Sequence, residues 1–128
     1  MEKPHKRLEV WNLGMQLVLE VYRITKDFPA EERFGLIGQM RRAAVSVPSN
    51  IAEGAARNTR REFVNFLHTA QGSLSEFDTQ FDLCERLGYV RSDARALVEP
   101  MMTRIDKMLT GLMKSLRRSE GSGVNGKG

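Results

Sequence analysis

One cysteine, two histidines and a 7% share of aromatics leave this 128-residue chain few of the usual materials for chemistry. Cys84 alone can neither close an internal disulfide nor complete a zinc site, so a reducing cytoplasm is the expected compartment. His5 and His68 have no second ligand at four-residue spacing, and no metal is expected. No apolar run approaches the ~20 residues of a membrane span. No apolar segment follows the N-terminal charges, so no signal peptide is expected either. Nothing matches a phosphate-cradling glycine loop or a nucleophile elbow, and neither an enzyme nor a cofactor is expected. With aromatics scarce, aliphatic residues and methionine supply the apolar material, which suits helix packing better than a β-sandwich. What the chain does have is positive charge: a net +4 and a pI of about 9.6, compatible with an anionic partner. Its length fits one domain able to bury a core without a disulfide or metal staple.

The apolar residues recur at helical spacing in four stretches. After a basic arm at 1–7 (Lys3, His5, Lys6, Arg7), the first helix reads as Glu9 to Lys26. Its main seam is Leu8, Trp11, Met15, Val18 and Tyr22, widened by Leu17, Val21 and Ile24. Val10, Leu13 and Leu17 look surplus to a monomer core, as either surface hydrophobes or a subunit interface. A connector around Pro29 places Glu31 and Glu32 where a helix dipole favours acid. Phe34 then begins the second helix, with Leu36, Ile37, Met40, Ala44, Val47 and Ile51 inward. That helix is expected to run through Pro48 with a kink and to end near Gly54 or Arg57. Thr59 and Glu62 form a capping box for the third, whose apolar face is Phe63, Phe66, Leu67, Ala70, Leu74, Phe77, Phe81 and either Cys84 or Leu87. Gly88 is placed for a left-handed stop, and Gly72-Ser73 for close packing against a neighbour. Ser92 opens the fourth helix, carrying Leu97, Met101, Ile105, Met108, Leu109, Leu112, Met113 and Leu116; at Pro100 either this helix kinks, the preferred reading, or a short helix ends and the main one begins near Glu99-Pro100. Residues 119–128, rich in glycine and serine, are expected to be a disordered tail. Short turns between four amphipathic helices predict an all-α, up-down-up-down antiparallel four-helix bundle over 8–118.

The stretch Arg41-Arg42-Ala43-Ala44-Val45-Ser46-Val47-Pro48-Ser49-Asn50-Ile51-Ala52-Glu53-Gly54 organises the chain. A proline inside a helical run costs ~3 kcal/mol, and Ser49 or Asn50 is expected to satisfy the backbone groups it frees. The stretch resembles the signature of the four-helix bundle proteins named after intervening sequences in the bacterial 23S rRNA gene, also called the S23 ribosomal protein family. Trp11, Thr25-Lys26-Asp27-Phe28-Pro29, Phe34-Gly35-Leu36, Gln39, Gly72-Ser73-Leu74, Thr79-Gln80, Leu87-Gly88-Tyr89, Met108-Leu109 and Gly111-Leu112 agree with it. The resemblance covers roughly residues 8–117. That family resembles, in fold, the accessory protein of diversity-generating retroelements, which partners a reverse transcriptase. The resemblance therefore implies a homopentameric ring, a nucleic-acid partner, and a reverse transcriptase or RNA element as the context.

The candidate nucleic-acid-binding residues are Arg41, Arg42, Arg57, Arg60, Arg61, Lys114, Arg117 and Arg118. In an antiparallel bundle the end of the fourth helix meets the start of the third, so Arg57, Arg60, Arg61, Arg117 and Arg118 are expected on one rim. Repeated around a ring, that rim would attract phosphate by counterion release. Without a helix-turn-helix, zinc-finger or RRM pattern, contact would be to backbone and shape. The plainer reading is a set of solvated helix-end charges, and with it a structural protein–protein interaction module. Asp78, Asp82 and Glu85, with Glu76, form an acidic stretch that could hold a divalent ion or do acid–base work; pairing with Arg41 and Arg42, of the neighbouring helix or of the next subunit, is the preferred expectation. Glu53 is expected to pair with a neighbouring arginine. His68 reads as a helix-face residue, Cys84 as apolar core, and Trp11 as a bundle anchor.

Overall fold

The computed structural model describes residues 3–127, and the side chains of 3–119. Four long helices carry the fold, and no strand occurs among the described residues. They are α1 (Glu9–Thr25), α2 (Leu36–Ala55), α3 (Arg60–Arg86) and α4 (Ser92–Lys127). Each packs against two others: α1 on α2 and α4, α3 on α2 and α4. The expected tail at 119–128 lies, beyond Ser119, outside the described side chains.

The basic arm forms a 3-10 turn over Pro4–Arg7, packed against α1 and α2. Asn12 ties it down, its Nδ2 donating to the Lys6 carbonyl at 3.2 Å and to the Leu8 carbonyl at 3.0 Å. His5 meets Trp11 edge-on, with centroids 4.9 Å apart.

The seam of α1 differs from the expected one. Val10, Leu13, Gly14, Leu17 and Val21 are buried, whereas Met15 and Tyr22 stand 42% and 45% exposed. The residues expected as surplus are therefore the core, and the expected main seam lies along its margin. The cause sits opposite: Gly14 faces the Pro48 ring, where a Cβ would meet it at 3.5 Å. About three turns further along α1 and two turns back along α2 the interface is tied again, because Thr25 is buried and accepts a bond from Arg41 Nε at 2.9 Å.

The second helix begins later than expected, at Leu36. Phe34 lies outside it and is 92% exposed. Glu32 does the work expected of an acid at that end: its Oε1 accepts from the Leu36 N–H at 3.2 Å. Its Oε2 accepts from the Tyr89 hydroxyl at 3.0 Å. That bond, and a 5.5 Å ring contact between Phe28 and Tyr89, fasten the α3–α4 turn to the α1–α2 connector. The helix continues unbroken through Pro48. Asn50 Nδ2 bonds the Ser46 carbonyl at 2.8 Å and Ser46 Oγ at 2.9 Å. Ser46 Oγ in turn lies 2.7 Å from Ser73 Oγ on α3. The polar cluster beside the proline is thus satisfied internally and links two helices.

The ends of α3 follow the sequence closely. Thr59 Oγ1 accepts from the Glu62 N–H at 3.1 Å and donates to Glu62 Oε1 at 3.0 Å. At the far end Gly88 takes φ +79°. Gly88 N–H reaches the Glu85 carbonyl and Tyr89 N–H the Cys84 carbonyl, which is the Schellman arrangement. Gly72, expected in close contact, meets nothing within 4 Å; its neighbour Ser73 makes the contact instead. In α4 the core positions are Val98, Met102, Ile105, Leu109 and Met113. Leu97 is 46% exposed and Met101 half-buried, so the first half of that seam is displaced by one residue. Phe77 and Phe81 fill the centre, completely buried with rings 5.9 Å apart. Cys84 is buried as expected, its Sγ 3.2 Å from Met40 Sδ. Burial first, and then Glu32, pushes its thiol up to about 11.

Candidate nucleic-acid interface

The eight candidate residues fall into two groups. Arg41 and Arg42 sit in the first half of α2, about 24 Å along the helix from Arg57 at ~1.5 Å per residue. Arg41 is half-buried and engaged: besides its bond to Thr25, its guanidinium lies 4.3 Å from the Tyr22 ring centroid. Arg42 is exposed beside it, lining a shallow depression with Tyr22, Gly38, Val45 and Ser46. These two do not join the rest.

The other group gathers at the α2–α3 turn and along α4. Arg57 pairs with Glu53 at 3.7 Å and stacks over Phe66 at 4.7 Å, which meets the expectation for Glu53. Arg60, Arg61, Lys114, Arg117 and Arg118 are exposed. Arg61 and Arg117 come together from α3 and α4 in a pocket of about 250 Å³, completed by Val64, Asn65, His68 and Leu116. Among the described residues no carboxylate lines it. Arg117 Nη2 lies 2.7 Å from His68 Nε2. Because guanidinium can only donate, that imidazole nitrogen is the acceptor of the bond.

Sequence reasoning read His68 as an ordinary face residue. Its signal was spacing: His68 follows Arg61 by seven residues, two helical turns, so the two share a face. The basic arm was also treated as separate, although it packs on α2, whose end leads into the turn that carries Arg57.

The acidic stretch has a different partner from the expected one. Arg95 of α4, not Arg41 or Arg42, takes Asp82 at 2.5 Å, Glu85 at 2.7 Å and Glu99. Its guanidinium also lies 4.8 Å from the Phe81 ring centroid. Asp82 and Arg95 are nearly equidistant from Gly88, so a reversal there sets them side by side, whereas Arg41 is held at Thr25. Among the described residues, no group of three or more His, Cys, Asp or Glu is arranged to hold a metal ion. None of their helices is long and apolar enough to cross a membrane.

Asp78 lies in the α3–α4 groove with Glu99 and Asp106. Loss of hydration first, then Asp82 and Glu99, raise its carboxyl above the usual carboxylate value, with Arg95 pulling it down. An acid raised in the fold opposes folding when ionised; the penalty is present at neutral pH and is relieved as pH falls through the raised value. Asp78→Asn should therefore raise the melting temperature at neutral pH. The gain should vanish once the pH reaches about 4, where aspartate protonates in any state. Calorimetry of both proteins across that range reads this directly.

Four helices about one core, with a basic groove between two of them, define an all-α protein of the four-helix-bundle class. The chain belongs to the 23S rRNA-intervening sequence protein family, whose model matches residues 6–111. It is also similar to a protein of unknown function from the S23 ribosomal protein family of Bacteroides thetaiotaomicron, known from its crystal structure. The two share 21% identity with a TM-score of 0.73, over 82% of this chain and 98% of that one. At that identity the likeness is one of fold. No curated protein matches.

Proposed function

We propose that this chain is a non-enzymatic nucleic-acid-binding protein that acts as a homo-oligomer, with a pentameric ring as the assembly. It would meet its partner through phosphate backbone rather than base edges. The observation that carries this reading is the meeting of Arg61 and Arg117 across the α3–α4 groove, with no carboxylate lining it among the described residues. Arg57, Arg60, Lys114 and Arg118 extend the same charge.

An up-down-up-down course is supported by the contact pairs. Thr25 meets Arg41 while Gly14 meets Pro48; Met40 meets Cys84 while Ser46 meets Ser73; Asp82 meets Arg95 while His68 meets Arg117. In each helix pair the numbers run in opposite directions. This course brings Lys3, Lys6 and Arg7 to the end that carries Arg57, Arg60 and Arg61. An RNA element in the cytoplasm is the setting we put forward, and a reverse transcriptase the protein partner. A second reading, a protein-interaction module, draws on Phe34 and Leu19, 92% and 71% exposed.

Fluorescence anisotropy with a labelled RNA hairpin and a labelled single strand, over a salt series, tests the first reading. Several phosphate contacts should make affinity fall by about a hundredfold or more between 50 and 200 mM salt. Absence of binding at low salt would leave the interaction module. Light scattering of the free protein bears on the ring separately: a monomer mass in dilute buffer would remove it.

A further inference from the structure

Two apolar surfaces of the bundle stand open to solvent. The first is a groove of about 420 Å³ between α1 and α4, lined by Leu13, Leu19, Leu97, Pro100 and Met101, with Arg104 beside them. It continues past Leu97 toward Ala94 and Val90. The second is an edge of α3, where Leu83 and Leu87 are 47% and 54% exposed. Ser73, whose hydroxyl meets Ser46 of α2, marks the side of α3 turned to α2. Glu76, Leu83 and Leu87 follow at spacings that keep to that side, and all three are exposed. Because α1 and α3 each pack on α2 and α4, the groove and the edge lie on opposite sides of the bundle. They also share a height. Asp82 meets Arg95 and Gln71 meets Asp106, so α3 and α4 count off residue for residue in opposite directions. In that register Glu76 is level with Met101, and Leu83 with Ala94. Leu87 lies one turn further on, toward Val90. Arg104 sits only ~4.5 Å along the axis from the level of Glu76. Neither Glu76 nor Arg104 has an ion pair among the described residues.

We propose that the α1–α4 groove of one copy receives the Leu83–Leu87 edge of a second copy, with Arg104 paired to that copy's Glu76. The proposal rests on the homo-oligomer put forward above and names the contact that builds it. Complementarity selects the occupant: leucine meets leucine, and an unpaired acid meets an unpaired base at the matching height. A single chain cannot bring its own edge to its own groove, because the bundle stands between them. The contact joins two different surfaces, so it is heterologous, and each copy offers one of each. Such contacts repeat until the rotation closes a ring. Equal height removes the shift along the axis that would make a helical filament instead. All copies then point the same way, and every Arg61–Arg117 groove arrives at one edge of the ring.

Light scattering of the full chain, without nucleic acid, tests the contact. Leu19→Glu with Leu97→Glu spoils the groove; Leu83→Glu with Leu87→Glu spoils the edge. All four side chains are exposed, so both variants should melt within a few degrees of the parent. Each variant alone should be a monomer where the parent is assembled. Mixed in equal amounts at high concentration, they should form a dimer. One brings a sound edge and the other a sound groove, and the pair has no further contact with which to grow. Charge reversal gives a second, milder readout. Glu76→Arg and Arg104→Glu should each weaken self-association about tenfold, and the two combined in one chain should return it to within about threefold of the parent. If the leucine variants keep the parent's mass, or their mixture stays monomeric, this contact is overturned, and a ring would have to form through other faces. If the parent is itself a monomer, the contact and the ring fall together, while salt-dependent RNA binding is untouched by that result.

Discussion

Gly54→Ala should cost the fold about 2–4 kcal/mol, a large fraction of a small domain's stability. Near the end of α2 this glycine is buried against the start of α3. A Cβ there would stand 2.7 Å from Phe66 Cβ, 2.9 Å from Phe63 Cδ1 and 3.3 Å from the Phe63 carbonyl oxygen. Two of those atoms move only with the α3 backbone, so no rotamer change relieves the clash. The two helices must separate where the Thr59 cap fixes their turn. Alanine's better helix propensity returns about 1 kcal/mol, and the stated loss is net of that gain. A melting temperature lower by roughly 5–15 °C is the expected reading. Gly72→Ala and Gly111→Ala are the controls: both glycines lie inside helices and an added Cβ meets nothing within 4 Å. Each should stabilise by about 0.5–1 kcal/mol. A Gly54→Ala protein as stable as the parent would show that α2 and α3 do not approach this closely.

The same glycine shows what the sequence made legible and what it did not. Breaks were clear because their chemistry is local: Thr59 with Glu62, Gly88 after Arg86, Pro29 ahead of the acidic turn. Each needs only a few neighbouring residues to act, and each acts as expected. Rotation of a helix about its axis is a different matter. In α1, Val10, Leu13, Leu17 and Val21 form one seam at helical spacing, and Trp11, Met15, Val18 and Tyr22 form another about 100° away. Both are apolar, so periodicity cannot rank them. The choice is made by Gly14 against Pro48 and by Thr25 against Arg41, contacts that exist only once α2 is in place. Val98 and Met102 displacing Leu97 and Met101 in α4 is the same effect.

The site divides along similar lines. Arg61 and Arg117 meet because both lie near helix ends that a bundle must juxtapose, and counting along the chain is enough to see it. Arg95 went unrecognised because charge type suggested Arg41 and Arg42 as partners for the acids, while distance from the Gly88 turn decides which residue faces them. His68 was passed over because a lone histidine carries no motif. Its meaning comes from Arg117, 49 residues away in sequence.

Reversing charge in the α3–α4 groove should therefore separate the two arginine groups by function. Arg61→Glu combined with Arg117→Glu should lower affinity for a labelled RNA by about a hundredfold near 0.1 M salt, and make the salt dependence shallower by about two phosphate contacts. Both side chains are exposed and neither supports the core, so the melting temperature should stay within a few degrees of the parent. Arg42→Glu is the control: it is also exposed, carries half the charge change of the double reversal, and lies about 22 Å from Arg57 along the direction of α2. It should change affinity by no more than about twofold if the bound strand keeps to the basic end. In a ring the contrast grows, since each protomer brings its own groove to the shared edge and linked sites multiply in avidity. A protein weakened equally by Arg42→Glu and by the double reversal would place the nucleic acid along the α1–α2 face. The exposed Tyr22 and the engaged Arg41 would then become the contact surface, and the α3–α4 groove would be left with only the role of solvating two helix ends.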